Sequence, residues 1–168
     1  MPDTFIKIAS VTVGSGGAAS MSFSSIPSTY TDLCLKISAR GTQSAAYATY
    51  TLSFNGSTSN RSMRQLYGSG SSVTSSTEPS NIGTDAVGAN ATANTFSNTE
   101  IYIPNYAGST NKSLSIDGVT ENNATEAYTE LYAALWSNTA AINSVTLTPL
   151  SGTFAQYSTA TLYGIKSS

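Results

Sequence analysis

Apolar and polar residues alternate along most of this chain with a period of two. The clearest example is the segment 32–39, in which apolar residues lie at Leu33, Leu35, Ile37 and Ala39. Successive side chains of a β-strand point to opposite faces of the sheet, so this spacing predicts a strand with one buried face.

Similar segments recur along the chain and are separated by residues that favour turns. The predicted strands cover residues 5–13, 18–25, 32–39, 46–54, 61–68, 96–104, 111–119, 142–150 and 157–165. In the first of them the alternation changes phase near Ala9 and Ser10. The glycine-rich turn at 14–17 predicts that the first two strands form a hairpin.

The segment 124–136 fits two kinds of element. Tyr128, Tyr132 and Trp136 have helical spacing, but apolar residues also alternate through the segment. We favour a strand, because the neighbouring segments are strands. In that interpretation one face meets the core, and the face with Tyr128, Tyr132 and Trp136 needs a second cover, such as a packed sheet or a partner subunit.

Residues 69–94 are rich in Ser, Gly, Asn and Ala, and Val73, Ile82 and Val87 are their isolated apolar anchors. This composition predicts a long surface excursion with one short strand at most. Loops of this length within a compact domain are often functional. We therefore expect this segment to contact another subunit or the capsid.

Together these segments predict an all-β fold. Nine or ten short strands with frequent turns and no convincing long helix are typical of an antiparallel β-sandwich, here a jelly-roll-like one. The length of 168 residues is that of one domain, and we expect residues 1–168 to form it.

Charge and aromatic content narrow the classes of partner. Only 10% of the residues are charged, the net charge is −2, and the basic residues are scattered along the chain. We therefore expect neither nucleic acid nor an anionic membrane as a partner, since both attract clusters of Lys and Arg. Ten residues are tyrosines, a side chain that is favoured at protein interfaces and can stack on sugar rings.

The sequence offers little for catalysis. It has no histidine and a single cysteine, Cys34, which is expected to be a small buried residue. A glycosidase needs two carboxyl groups that face each other across a cleft. Glu126 and Glu130 are close in sequence but fit a solvated strand edge. We therefore predict no catalytic residue, no metal site and no cofactor, and expect that the protein is not an enzyme.

The segment 136–168, together with ordered segments upstream that extend the match over most of the chain, resembles small virion proteins of tailed bacteriophages, especially marine and cyanobacterial ones. In that pattern a tryptophan-containing segment leads into a strand, a Gly-x-Phe turn and a terminal strand. The matching segments upstream are 25–42, 52–57 and 93–113. The matching residues near the end are Trp136, Thr139, Ala141, Ile142, Gly152, Phe154, Ser158, Thr159, Ala160, Leu162, Tyr163, Gly164 and Ile165.

The resemblance implies a β-sandwich building block of the virion, often trimeric. Proteins of this kind include capsid cement or decoration proteins, head-fibre pieces and tail-fibre tips. The resemblance carries over no catalytic residue. We expect a decoration protein, because a chain filled by one domain leaves no room for a fibre shaft. Such a protein would be assembled in the host cytoplasm. It would form a homotrimer and bind the major capsid protein or other virion proteins.

The alternative is a receptor-recognition domain of a tail or head fibre, which would bind a host glycan. For either function the candidate interface residues are the aromatic ones of 124–136 and the anchors of 69–94. These residues are Tyr128, Tyr132, Trp136, Val73, Ile82 and Val87.

Overall fold

Two antiparallel β-sheets pack face to face in the computed structural model, which describes residues 4–123 and 126–166. The described residues form twelve strands: β1 (Phe5–Thr12), β2 (Met21–Phe23), β3 (Asp32–Ser38), β4 (Tyr47–Phe54), β5 (Arg61–Gly68), β6 (Val73–Glu78), β7 (Gly83–Val87), β8 (Asn98–Ile103), β9 (Lys112–Val119), β10 (Thr129–Trp136), β11 (Val145–Pro149) and β12 (Thr159–Ile165). The predicted all-β sandwich is therefore confirmed, with a strand count somewhat above the expected nine or ten. None of the described residues belongs to a helix suited to crossing a bilayer.

The two sheets differ in width. The larger sheet has eight strands in the order β1-β12-β3-β8-β9-β10-β5-β6, and the smaller has four in the order β2-β11-β4-β7. The last strand of the smaller sheet, β7, packs near β9. Strands β10, β5 and β6 therefore extend past the free edge of β7, and this overhang positions the candidate site.

The core lies between the sheets and follows the predicted alternation. In β4 the residues Tyr50, Leu52 and Phe54 are fully buried, while the residues between them are half-buried on the other face. The ring of Phe54 lies 5.4 Å from that of Trp136, and the ring of Tyr50 lies 5.5 Å from that of Phe154. The first contact joins the inner faces of the two sheets, and the second packs the segment between β11 and β12 against β4.

The ambiguous segment is a strand, β10, with residues 124 and 125 outside the described residues. Its faces are the reverse of those expected. Tyr132 and Trp136 are buried towards the smaller sheet, whereas Leu131 and Ala133 are exposed on the outer face. The aromatic rings bury more apolar area than Leu and Ala would, which explains why their face meets the core.

The predicted hairpin of the first two strands is wrong. β1 pairs with β12 in the larger sheet, and β2 pairs with β11 in the smaller one. The glycine-rich turn carries the chain from the larger sheet to the smaller one. The two strands therefore pack against the core from opposite sides. The phase change in β1 corresponds to an irregularity between Lys7 and Ala9.

The segment 69–94 also needs correction, because it is not one long loop. It contains β6 and β7, and Ile82 and Val87 are fully buried. The side chains of these two residues anchor the segment to the core. The small polar residues around them hide this role in the sequence.

A single guanidinium group organises the loop that follows β7. Arg40 donates hydrogen bonds to the carbonyl oxygens of Ala89, Ala91, Thr92 and Thr95 at 2.8–3.2 Å. Four carbonyl groups therefore share one charged donor, and hydrogen bonds from charged groups are stronger than neutral ones.

The two faces of β10 can be distinguished by mutation. We expect Trp136→Ala to lower the free energy of unfolding by about 3–5 kcal/mol, because it leaves a large cavity between the sheets. The matched variant Leu131→Ala, on the outer face of the same strand, should lower it by about 1 kcal/mol or less. Urea denaturation of both variants measures the difference, and equal losses would contradict this assignment of the faces.

Candidate functional site

A cleft opens along the free edge of β7, where the overhanging strands of the larger sheet face the margin of the smaller one. Its volume is about 230 Å³. We call it the tyrosine cleft. The residues that characterise its lining are Tyr47, Gln65, Tyr67, Asn81, Asp85 and Tyr128.

Three tyrosine rings form one wall of the tyrosine cleft. The ring of Tyr128 lies 5.4 Å from that of Tyr47 and 5.7 Å from that of Tyr67, with an interplanar angle of 86° in both pairs. Edge-to-face contacts of this kind stabilise aromatic pairs beyond their burial of area. Tyr47 belongs to the smaller sheet and Tyr67 to the larger one, so Tyr128 connects the two sheets at the mouth of the cleft.

A pair of carboxyl groups lies beside this wall. The Thr84 hydroxyl donates to Glu130 Oε2 at 2.5 Å, and the Asp85 backbone N–H approaches the same oxygen at 3.5 Å. The Thr49 hydroxyl donates to Asp85 Oδ1 at 2.6 Å. Glu130 thus reaches from β10 across to the edge of β7, where a backbone N–H has no neighbouring strand to accept it.

A glycine in the neighbouring strand makes room for the Glu130 carboxyl group. Gly118 of β9 is the cross-strand partner of Glu130. A Cβ atom at Gly118 would lie 2.7 Å from Glu130 Oε2 and 3.1 Å from the Thr84 hydroxyl oxygen. Any larger residue at this position would therefore push against the bridge between the sheets.

Burial controls the charge of this pair. Desolvation, followed by the nearby charge of Asp85, raises the pKa of Glu130 to about 8. Desolvation also raises the pKa of Asp85, which is within hydrogen-bonding reach of Glu130. Two adjacent carboxyl groups in a desolvated site titrate together and share a proton. We assign that proton to Glu130, which is only 1% exposed.

Glu130 corrects the expectation of a solvated strand edge. The sequence places Tyr128, Glu130 and Tyr132 at every second position, so they share one face of the strand. Once the tyrosine face is known to point inward, Glu130 must be buried as well. Its partner Asp85 lies in a different sheet, and no local signal connects the two.

The predicted interface residues fall into two groups. Four of them are at most 4% exposed within a single chain, namely Ile82, Val87, Tyr132 and Trp136. These four positions offer almost no surface to a partner, and the interface prediction needs correction there because their side chains complete the core. Tyr128 is half-buried in the tyrosine cleft, and Val73 is 76% exposed at the start of β6.

Neither a metal-binding cluster nor a known relative identifies the role of the cleft. Among the described residues, no three His, Cys, Asp or Glu side chains come together in a way that could hold a metal ion. No protein-family model, curated protein or solved structure matches the chain.

Glu130 predicts a pH-dependent stability. The unfolded chain loses this proton near the ordinary pKa of 4.5, whereas the folded protein keeps it until about pH 8. The free energy of unfolding should therefore fall as the pH rises between these values and level off above them. Glu130→Gln should flatten this dependence and make the protein more stable than the wild type above pH 8.

Urea denaturation at a series of pH values measures this effect. Asp117→Asn is the control, because Asp117 is exposed on the outer face of β9. A wild-type stability that rises with pH across this window, or an unchanged slope in Glu130→Gln, would contradict the assignment of the proton.

Gly118 gives a second prediction. Gly118→Ala should lower the free energy of unfolding by about 1–3 kcal/mol, because the added methyl group overpacks the carboxyl bridge. Gly68→Ala is the matched control, since a Cβ there would come no closer than 3.9 Å to a neighbouring atom. Thermal denaturation of both variants compares them, and a neutral Gly118→Ala would mean that the carboxyl group is free to move.

Proposed function

We propose that this chain is a non-catalytic structural protein of a bacteriophage virion, a capsid cement or decoration protein that trimerises and binds the head lattice. The resemblance of its ordered segments to phage virion proteins supports this proposal, as does the β-sandwich fold. The observation that carries it is a group of exposed apolar side chains beside an open sheet edge.

This group is the apolar edge patch, which consists of Leu66, Val73 and Leu131. Leu66 and Leu131 are cross-strand partners on the outer face of β5 and β10, and they are 46% and 55% exposed. Val73 is 76% exposed at the start of β6, the last strand of the sheet. Apolar side chains grouped on an outer face are typical of surfaces that another protein covers.

The strand beside the patch is open to pairing. Within residues 4–123 and 126–166, β6 pairs only with β5. Its register is regular, and Glu78 at its end is its one charged residue. The opposite edge of the sheet, β1, carries Lys7 and an irregularity, which are common protections against unwanted pairing. We therefore assign the β6 edge and the apolar edge patch to contact with other copies of this chain.

A decoration protein of this kind acts without chemistry. A rigid sandwich bound at many equivalent lattice positions gains avidity from its several contacts. Because it binds only the assembled lattice, its binding energy stabilises the intact particle relative to the separated subunits.

The patch can be tested by measuring the oligomeric state. We expect the wild type to be a trimer, and Leu66→Ser with Leu131→Ser to dissociate it, because two serines remove apolar area from the contact. Light scattering coupled to size-exclusion chromatography reports the mass. Phe5→Ser, which removes an exposed apolar residue from the β1 edge, should leave the trimer intact.

The location on the particle needs a separate measurement. Immunoelectron microscopy of intact virions should place this chain on the head facets. Label at the tail end would contradict the decoration function, and a monomeric wild type would contradict the role of the β6 edge.

A further inference from the structure

The tyrosine cleft combines an aromatic wall with polar groups that are free to bind a ligand. The rings of Tyr47, Tyr67 and Tyr128 meet at its mouth, and each ring has an apolar face and a hydroxyl group. Gln65 lies on the inner face of the overhang. Its Oε1 accepts from the Ser76 hydroxyl at 2.8 Å, which leaves the amide N–H groups for another acceptor.

An acceptor without a partner also lies at the cleft. Asn81 lines it, and its Oδ1 atom is buried without a hydrogen-bond partner among the described residues. Asp85 also lines the cleft, and its Oδ1 accepts from the Thr49 hydroxyl. Buried acceptors that lack a donor in the protein favour a ligand that supplies hydroxyl groups.

Charge selects among hydroxyl-bearing ligands. The described residues that line the cleft include the acidic side chains of Glu78 and Asp85 but no Lys or Arg. An anionic ligand would meet repulsion and find no cation. A neutral sugar instead offers hydroxyl groups for the acceptors and an apolar C–H face for the aromatic wall.

We propose that the tyrosine cleft binds a neutral pyranose ring of a glycan, with Tyr128 contacting the sugar face and Gln65, Asn81 and Asp85 hydrogen-bonding its hydroxyl groups. Glycan recognition is the alternative function expected from the sequence, and the tyrosine cleft would be its location.

The site is independent of the proposed self-association. Gln65 and Tyr67 point to the inner face of β5, whereas Leu66 between them points to the outer face. A variant in the tyrosine cleft should leave the mass of the oligomer unchanged, and a variant in the apolar edge patch should leave sugar binding unchanged. The two functions can thus fail separately.

The experiment is a binding screen on the full-length wild type by saturation-transfer NMR, followed by calorimetry. The probes are the methyl glycosides of glucose, galactose, mannose and N-acetylglucosamine, with sialic acid and glucuronic acid as anionic comparisons. We expect at least one neutral glycoside to bind and neither anionic sugar to do so. Tyr128→Ala and, separately, Gln65→Ala should each weaken binding by about tenfold, which corresponds to one lost contact of about 1.4 kcal/mol.

Tyr157→Asn is the matched control, because Tyr157 is an exposed aromatic residue that does not line the cleft. Its φ is 73°, a conformation that asparagine tolerates, so this change should preserve the fold. Gln65→Ala keeps the test decisive if Tyr128→Ala fails to fold. Binding of no neutral glycoside, preferred binding of an anionic sugar, or binding that survives both cleft variants would overturn the proposal.

Discussion

The rest of this structure depends on the packing of two sheets of unequal width around one apolar interface. Eight strands face four, so the smaller sheet covers only part of the larger one. Where the sheets overlap, large aromatic side chains such as Trp136 and Tyr50 fill the space between them. Where the overlap ends, at the free edge of β7, the same inner face becomes the wall of an open cleft. The overlap of the sheets therefore forms the core, and their difference in width forms the candidate site.

The edge of β7 also explains why a carboxyl group is buried there. A strand edge next to the core leaves backbone N–H groups that need an acceptor, and Glu130 provides one together with a bond to Thr84. Burial of a carboxyl group is unfavourable unless it is hydrogen-bonded or protonated. The raised pKa of Glu130 is the consequence. The bridge holds the sheets together at the mouth of the cleft and keeps Asp85 in place along its wall.

The outer surface is used differently from the cleft. On β5 and β10 the alternation places Leu66 and Leu131 outside, while the residues next to them face the core or the cleft. Neighbouring residues of the same strands can therefore serve self-association and ligand binding without sharing atoms. The two edges of the larger sheet also differ. The β1 edge is irregular and charged, whereas the β6 edge is regular and mostly uncharged.

Period-two spacing was sufficient to predict most strands, the sandwich and the buried residues of β3 and β4, because a strand exposes alternate side chains to different surroundings. It did not distinguish the two faces of β10, since both carry apolar residues and only the opposing sheet shows which is covered. It also missed the pairing of β1 with β12 and the meeting of Asp85 with Glu130, which are 45 residues apart. Local sequence thus determined most of the segments that form strands. The tertiary structure alone decided their partners, the unequal sheets and the cleft, because these depend on contacts between distant parts of the chain.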